Sequence, residues 1–315
     1  TANSNLTKDG AGKLLLITNN SYAGTTSITA GIVQITTNDA LGTYTGSQGT
    51  LVGTGAAIEI NGASALTIPE AFTLNGNGPS STGAIRIISG AAATSLTGGI
   101  TAQTASTINT DITVGTNTLT ITTGAITNTG GLTFGTASAG GITISSAISG
   151  SGAITYTGSG TGQLILSGSN TYTGVTTINA GILKVQSSGA LGNSANTSYN
   201  TVVKSGAALQ IDGASLTIPE AITISGTGIN NDGVIRNLSS STGTNIIAGP
   251  ITLAADAEIN SDANTLQFST AGTINTSTFG LSLGGAGVIS ALGIISGSGA
   301  ITKIDGGSLI LNAAN

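Results

Sequence analysis

The chain has 315 residues and a net charge of −5, with 38% hydrophobic residues but only 6% charged and 3% aromatic ones. It contains no cysteine and no histidine, which excludes disulfides, Cys/His metal sites and histidine acid–base catalysis. Its seven Lys and Arg residues are scattered singly, which argues against a nucleic-acid partner, and no apolar run is long enough to span a membrane. Because β-branched residues and Gly outnumber the helix formers, we expect an all-β protein.

Short apolar runs follow one another along the whole chain. In chain order they include KLLLI, AIEI, ALTI, AIRII, TLTI, GLTF, GITI and QLIL, which begin at residues 13, 57, 65, 84, 118, 131, 141 and 163. Gly, Asn, Ser and Thr separate such runs at intervals of roughly 8–12 residues, a spacing typical of many short strands. This spacing alone fits either a parallel β-solenoid or tandem β-sandwiches.

The sequence also repeats itself at an offset of 150 residues. Residues 8–42 align without a gap on residues 158–192, and the likeness continues from 55–78 to 206–228. A third copy opens at residue 303. We therefore predict one continuous solenoid over residues 1–315, built from tandem cassettes of about 150 residues. The predicted cassettes are 8–157, 158–302 and the start of a third at 303–315.

Three features favour the solenoid over the sandwich. No Pro-rich or charged linker separates the copies, large aromatic residues are few, and the apolar residues are almost all Ile, Leu, Val and Ala. Such side chains suit a narrow core that is stacked coil on coil. With about 20 residues in each coil, the chain would form on the order of 16 coils.

Residues 160–192, GTGQLILSGSNTYTGVTTINAGILKVQSSGALG, resemble the autotransporter-associated β-strand repeat. The matching positions are Gly160, Gly162, Leu164, Leu166, Gly168, Asn170, Tyr172, Gly174, Thr176, Ile178, Gly181, Val185 and Ala190-Leu191-Gly192. Residues 10–42 fit more loosely, and residues 306–315 fit only the opening. The resemblance implies a right-handed parallel β-helix in the exported passenger region of bacterial surface proteins, which are often adhesins or long fibres.

An Asn-x-Tyr-x-Gly motif recurs within these segments. It comprises Asn20, Tyr22 and Gly24 in the first copy and Asn170, Tyr172 and Gly174 in the second, and Asn315 begins it again. The motif could contact a glycan. The favoured interpretation is structural: the Asn side chain bonds the backbone of a turn, and the Tyr covers the edge of the core.

Two charged positions also recur. Glu70 and Glu220 each lie in Ile-Pro-Glu-Ala, and Arg86 and Arg236 follow sixteen residues later. If sixteen residues approximate one coil, each carboxylate would lie beside a guanidinium of the next coil and fix the register. An acid–base site is the less favoured alternative, because a glycosidase needs two carboxylates facing a cleft.

Asp111 and Asp262 recur in INTD and INSD. Asn-x-Asp can supply calcium ligands, but a calcium ion needs six to eight oxygens and the calcium-binding nonapeptide repeat is missing. Turn and ladder roles are favoured for these two residues. We predict no metal and no cofactor.

Two functional hypotheses follow. The first is a structural rod that continues or stacks end to end in an extracellular or cell-surface fibre, with further repeats or a second copy as its partner. This hypothesis draws on the likeness of residues 6–20 to residues 301–315, which makes one end resemble the continuation of the other. The second hypothesis is an adhesin passenger that binds glycans or cell surfaces. A polysaccharide-degrading enzyme and an ice-binding protein are less favoured, and we expect no catalytic activity.

Overall fold

The computed structural model describes residues 4–46, 48–90, 93–112, 118–137, 140–193, 200–238 and 243–313. The chain divides into two compact units, Thr1–Leu164 and Ile165–Asn315, and each is described by itself. Both units consist of short β-strands, with one short 3-10 turn in each, Pro79–Ser81 and Ile229–Asn231. The described residues contain no helix long and apolar enough to cross a membrane.

The strands of the first unit are β1 (Leu6–Lys8), β2 (Lys13–Leu16), β3 (Thr26–Ile28), β4 (Gly31–Ile35), β5 (Gly49–Val52), β6 (Ala56–Gly62), β7 (Leu66–Ile68), β8 (Ala71–Leu74), β9 (Ile85–Gly90), β10 (Thr94–Leu96), β11 (Ile100–Ala102), β12 (Ser106–Thr110), β13 (Thr118–Ile121), β14 (Ile126–Asn128), β15 (Leu132–Thr136), β16 (Gly141–Ile144), β17 (Ile148–Ser149) and β18 (Ile154–Gly158). Strand β19 (Gln163–Leu166) contains the point of division.

The strands of the second unit are β20 (Thr176–Val185), β21 (Asn200–Val203), β22 (Ala207–Ile211), β23 (Thr217–Ile218), β24 (Ala221–Gly226), β25 (Ile235–Asn237), β26 (Thr244–Ile247), β27 (Ile251–Ser261), β28 (Thr265–Phe268), β29 (Ile274–Asn275), β30 (Leu281–Gly284), β31 (Val288–Ala291), β32 (Ile295–Ser296), β33 (Ile301–Lys303) and β34 (Ser308–Leu311). Each of the eight apolar runs named above overlaps a strand, with at most one residue of the run outside it.

The first unit winds its strands into three parallel ladders. One face stacks β1, β3, β5, β8, β11, β14 and β17, and a second stacks β2, β4, β6, β9, β12, β15 and β18. The third face stacks β7, β10, β13 and β16. Because each strand pairs with a strand one turn later in the chain, the unit is a parallel β-solenoid, and the antiparallel sandwich is wrong.

The second unit has the same architecture. Its faces stack β21-β24-β27-β29-β32, β20-β22-β25-β27-β30-β33 and β23-β26-β28-β31-β34. The long strands β20 and β27 each belong to two neighbouring ladders. The right-handed winding and the cassette boundaries stay predictions.

The coils are longer and more variable than the predicted 20 residues. Leu6 pairs with Thr26 after 20 residues, whereas Phe72 pairs with Ile100 after 28 residues. The corners contain turns of different length. The strands therefore stay in register from coil to coil, although the number of residues in a coil varies. The average coil has about 23 residues.

The core lies between the faces and consists of columns of stacked side chains. Alternate residues of each strand point inward, as expected from the two-residue period of a strand. One such column in the first unit is formed by the fully buried Val33, Ile58, Ile85, Ile108, Phe134 and Tyr156. Its counterpart in the second unit is Leu183, Leu209, Ile235, Ile259 and Leu283.

Candidate functional site

The recurring Asn residues bond the backbone of the turn that ends their own repeat motif. Nδ2 of Asn20 donates to the carbonyl oxygen of Ala40 at 2.7 Å, and Nδ2 of Asn170 donates to that of Ala190 at 2.6 Å. Ala40 and Ala190 open the Ala-Leu-Gly tripeptide of each copy. The Asn side chain therefore holds this tripeptide in the adjoining turn, which agrees with the structural interpretation of the motif.

The recurring Tyr residues also make the same contact in both copies. The hydroxyl of Tyr22 lies 2.7 Å from Oγ1 of Thr26, and that of Tyr172 lies 2.6 Å from Oγ1 of Thr176. Tyr172 is fully buried, and burial raises the pKa of its phenol. Each Tyr hydroxyl thus has a hydrogen-bond partner in the strand that follows it, as a hydroxyl removed from water requires.

The structure explains why glycine is required at two positions of the first copy, Gly42 of the Ala-Leu-Gly tripeptide and Gly24 of the Asn-x-Tyr-x-Gly motif. Gly42 ends the first Ala-Leu-Gly with a φ of 92°, and a Cβ there would collide with the carbonyl oxygen of Tyr22. At Gly24, a Cβ would collide with the backbone of Ser4 and the side chain of Asn5. Gly174 forms the equivalent bend before β20. The predicted third copy of the motif, at Asn315, lies outside the described residues.

Arg86 forms an ion-pair network, but not with the predicted partner. Nη1 of Arg86 lies 2.7 Å from Oε1 of Glu59, and its Nε donates to Oδ2 of Asp111 at 2.9 Å. Lys13 completes the network, with its Nζ 2.6 Å from Oε2 of Glu59. The predicted Glu70–Arg86 pair is wrong because sixteen residues are shorter than a coil: Arg86 lies beside Glu59 in the ladder, 27 residues earlier.

Arg236 occupies the same ladder position in the second unit. Its Nε donates to Oδ2 of Asp262 at 2.7 Å, and its Nη1 donates to Oδ2 of Asp232 at 2.8 Å. The predicted Glu220–Arg236 pair is therefore also wrong. The contact that both copies share is Arg to Asp, so Asp111 and Asp262 serve as the arginine partners.

Glu70 and Glu220 lie inside the solenoid instead. Both residues are only 3% exposed, and all four carboxylate oxygens lack a hydrogen-bond partner among the described residues. Removal from water raises the pKa of Glu70 to about 7, with a further contribution from the negative charge of Asp39. Burial likewise raises the pKa of Glu220 to about 7.

The sequence analysis missed a ladder of outward-pointing side chains on the first face of the first unit, the hydroxyl ladder, in which six of the seven residues are Ser or Thr and the seventh is Leu51. Successive strands of that face place one outward-pointing residue each in direct register, namely Thr7, Ser27, Leu51, Thr73, Thr101, Thr127 and Ser149. None of these residues is charged. The variable coil length hides the ladder in the sequence, because the intervals between these residues differ from coil to coil.

The recurring Asn, Tyr, Arg and Asp residues make hydrogen bonds and ion pairs. Within the described ranges, no three His, Cys, Asp or Glu side chains are grouped so that they could hold a metal ion. Arg86 and Arg236 hold the acidic residues nearest to them in ion pairs. The recurring polar residues therefore join one coil to the next.

Comparison with known families agrees with this geometry. A family model described as passenger-associated-transport-repeat matches residues 6–35 and 154–185. Both matched segments contain the Asn-x-Tyr-x-Gly motif and the strands that flank it. These two segments of the chain are similar to the passenger-associated transport repeat. The match confirms the resemblance seen in the sequence, and the fold of the passenger repeats here is a parallel β-solenoid. No curated protein and no solved structure is detectably similar to the chain.

Proposed function

We propose that this passenger-repeat solenoid is a rigid, non-catalytic structural segment of a secreted or surface-exposed bacterial fibre. The observation that carries the proposal is the stacking of parallel strands from each coil to the next within each unit. Every coil hydrogen-bonds the coils before and after it, and the core columns run across them. Such a unit resists bending and unfolding without disulfides, which suits a spacer exposed outside the cell.

The proposal includes continuation of the solenoid end to end. The last described strands leave apolar side chains on the surface: Ile301, Ile310 and Leu311 are 40%, 44% and 46% exposed. A further coil stacked on β33 and β34 would cover them and pair their free backbone groups. The likeness of residues 6–20 to residues 301–315 supports a coil of the N-terminal type in this place, supplied by further repeats or by a second copy.

Electron microscopy of the purified chain tests this continuation. We expect thin filaments of uniform width whose length grows with protein concentration. Replacing Ile301 and Ile310 with Asp should shorten them, since a charge would be buried at each junction. The matched control is Thr101→Asp on the side of the first unit, which should leave filament length unchanged. Short isolated particles at high concentration would exclude stacking of separate molecules.

An adhesin function is the second candidate, and the hydroxyl ladder of the first unit favours it. Ladder residues Ser27, Leu51 and Thr73, together with Thr25 and Gly49, line a shallow groove in that face. Leu51 is 42% exposed in this otherwise polar groove. A glycan-array screen with the unmodified chain and with Leu51→Arg would test it. Binding that the substitution abolishes supports the adhesin, and an array without signal contradicts it.

A further inference from the structure

Two acidic residues of this chain, equally buried, have opposite surroundings. Glu59 and Glu70 are each 3% exposed. Glu59 faces two cations, with Nζ of Lys13 at 2.6 Å and Nη1 of Arg86 at 2.7 Å. Glu70 faces none: both of its carboxylate oxygens are buried without a hydrogen-bond partner. A buried carboxylate without a compensating cation is costly, and it relieves that cost by taking up a proton.

The surroundings of Glu70 are polar but uncharged on the side that it faces. It borders a small cavity that Thr26, Tyr44, Gln48 and Thr50 also line, and this cavity is about large enough for one water molecule. Oγ1 of Thr50 is also buried without a partner. One water between Thr50 and a protonated Glu70 would satisfy both groups.

The titratable groups near Glu70 oppose its ionisation. Asp39, in the turn before Ala-Leu-Gly, adds a negative charge. Tyr22 also interacts with Glu70, and its hydroxyl is already engaged by Thr26 at 2.7 Å. No Lys or Arg of the described residues forms a salt bridge with Glu70. The interaction that favours the ionised form is the one with the backbone N–H of Glu70 itself, and burial outweighs it.

The second unit repeats the arrangement. Glu220 is 3% exposed, and both of its oxygens are buried without a partner. The titratable group that faces it is Tyr172, whose hydroxyl lies 2.6 Å from Oγ1 of Thr176. The same three residue types, Tyr, Thr and Glu, therefore occur together in both units. The buried carboxyl group is a recurring feature of the repeat.

We propose that Glu70 and Glu220 are internal proton-binding sites, which hold their carboxyl groups neutral in the folded solenoid and make its stability depend on pH. The proposal goes beyond the structural function, because a fibre segment needs no titratable group in its core. The stability of the folded coils around each site is therefore expected to be higher in acid and lower at neutral or alkaline pH.

The direction follows from linkage. The pKa of both groups rises from 4.5 in the unfolded chain to about 7 in the folded one. Below pH 4.5 both states are protonated, and the stability is fully present. Between 4.5 and about 7 the unfolded chain loses the proton first, so stability falls as pH rises through this window and then levels off. For each site we expect the folding equilibrium to weaken on the order of a hundredfold across the window.

Carboxyl carbon NMR with selectively labelled Glu tests the proposal on the unmodified chain. The sequence contains four Glu residues, and single Glu→Gln variants assign their signals. We expect the signals of Glu70 and Glu220 to titrate with midpoints near 7. Midpoints at or below 4.5 for all four Glu signals would overturn the proposal, and this outcome is read on the unmodified chain without any assignment.

Thermal unfolding at pH 5 and pH 8 provides the second test. The unmodified chain should melt at a lower temperature at pH 8, whereas Glu70→Gln/Glu220→Gln should melt at similar temperatures at both. The exposed Asp9→Asn is the matched control and should keep the pH dependence. The pH 8 measurement is repeated in sodium, potassium and choline chloride. If sodium or potassium stabilises the unmodified chain but not Glu70→Gln, the site binds that metal ion, and the proposal that it binds a proton is overturned.

Discussion

Nε of Arg86 donates to Oδ2 of Asp111 at 2.9 Å, across an interval of 25 residues, and Arg236 makes the same contact with Asp262 at 2.7 Å across 26. Each arginine therefore bonds a carboxylate that belongs to the following coil. Because the interval matches one turn of the solenoid, this contact records the register of the coils in both units.

Removal of the Arg86 guanidinium should destabilise the first unit. Arg86→Met leaves Glu59, whose side chain is 4% exposed, with Lys13 as its only cation. We expect a loss of about 1–3 kcal/mol in the free energy of unfolding, since a buried carboxylate loses a hydrogen-bonded partner. Denaturant unfolding measures it. The control Lys184→Met removes an ion pair at 3.2 Å and should cost less than about 1 kcal/mol. Equal effects of the two substitutions would contradict the network.

The Asn corner gives a second prediction. Asn170→Asp keeps the shape of the side chain but removes the amide that donates to Ala190, and it places a charge in a buried position. We expect the free energy of unfolding to fall by about 1–3 kcal/mol. Asn20→Asp, at the more exposed equivalent, should cost less. A variant Asn170→Asp as stable as the unmodified chain would show that the corner does not depend on this bond.

Tyr156 gives a prediction at alkaline pH. Its hydroxyl lies 2.8 Å from Oγ1 of Thr136 and donates to the carbonyl of Gly162 at 2.9 Å. Burial raises its pKa from 10.0 to about 12. The stability that this tyrosine contributes is thus present below pH 10 and is lost as pH rises towards 12. Tyrosinate absorbance should show late-ionising groups that include Tyr156 and Tyr172, and Tyr156→Phe should remove one of them. An unchanged titration curve in this variant would refute the assignment.

Much of the fold could be predicted from the sequence because local patterns determine it. The apolar runs at β2, β6 and β13 alternate with the two-residue period of strands, and the 150-residue offset reveals repetition. The coil length could not be predicted in the same way. The corners vary between coils, so the distance in sequence between stacked residues ranges from 19, between Leu14 and Val33, to 31, between Gly226 and Ala257.

The partners of the charged residues depend on that coil length, which explains the wrong Glu–Arg pairs. The repeat in the sequence singled out Glu70 and Arg86 and their counterparts in the second copy. The repeat could not reveal whether the side chain of each residue points outward or into the core. Arg86 points outward in β9, while Glu70 points into the core immediately before β8. A register that differs by one residue would exchange these surroundings.

The spacing of the hydroxyl ladder tests the solenoid most directly. The chain has no cysteine, so spin labels can be attached to introduced pairs. Thr7 and Ser149 lie six ladder steps apart, and Ser27 and Thr127 lie four steps apart. Pulsed electron paramagnetic resonance on Thr7→Cys/Ser149→Cys and Ser27→Cys/Thr127→Cys should give mean distances that differ by roughly 10 Å, two strand spacings. Equal distances in the two pairs, or broad distributions without a maximum, would contradict the stacked coils.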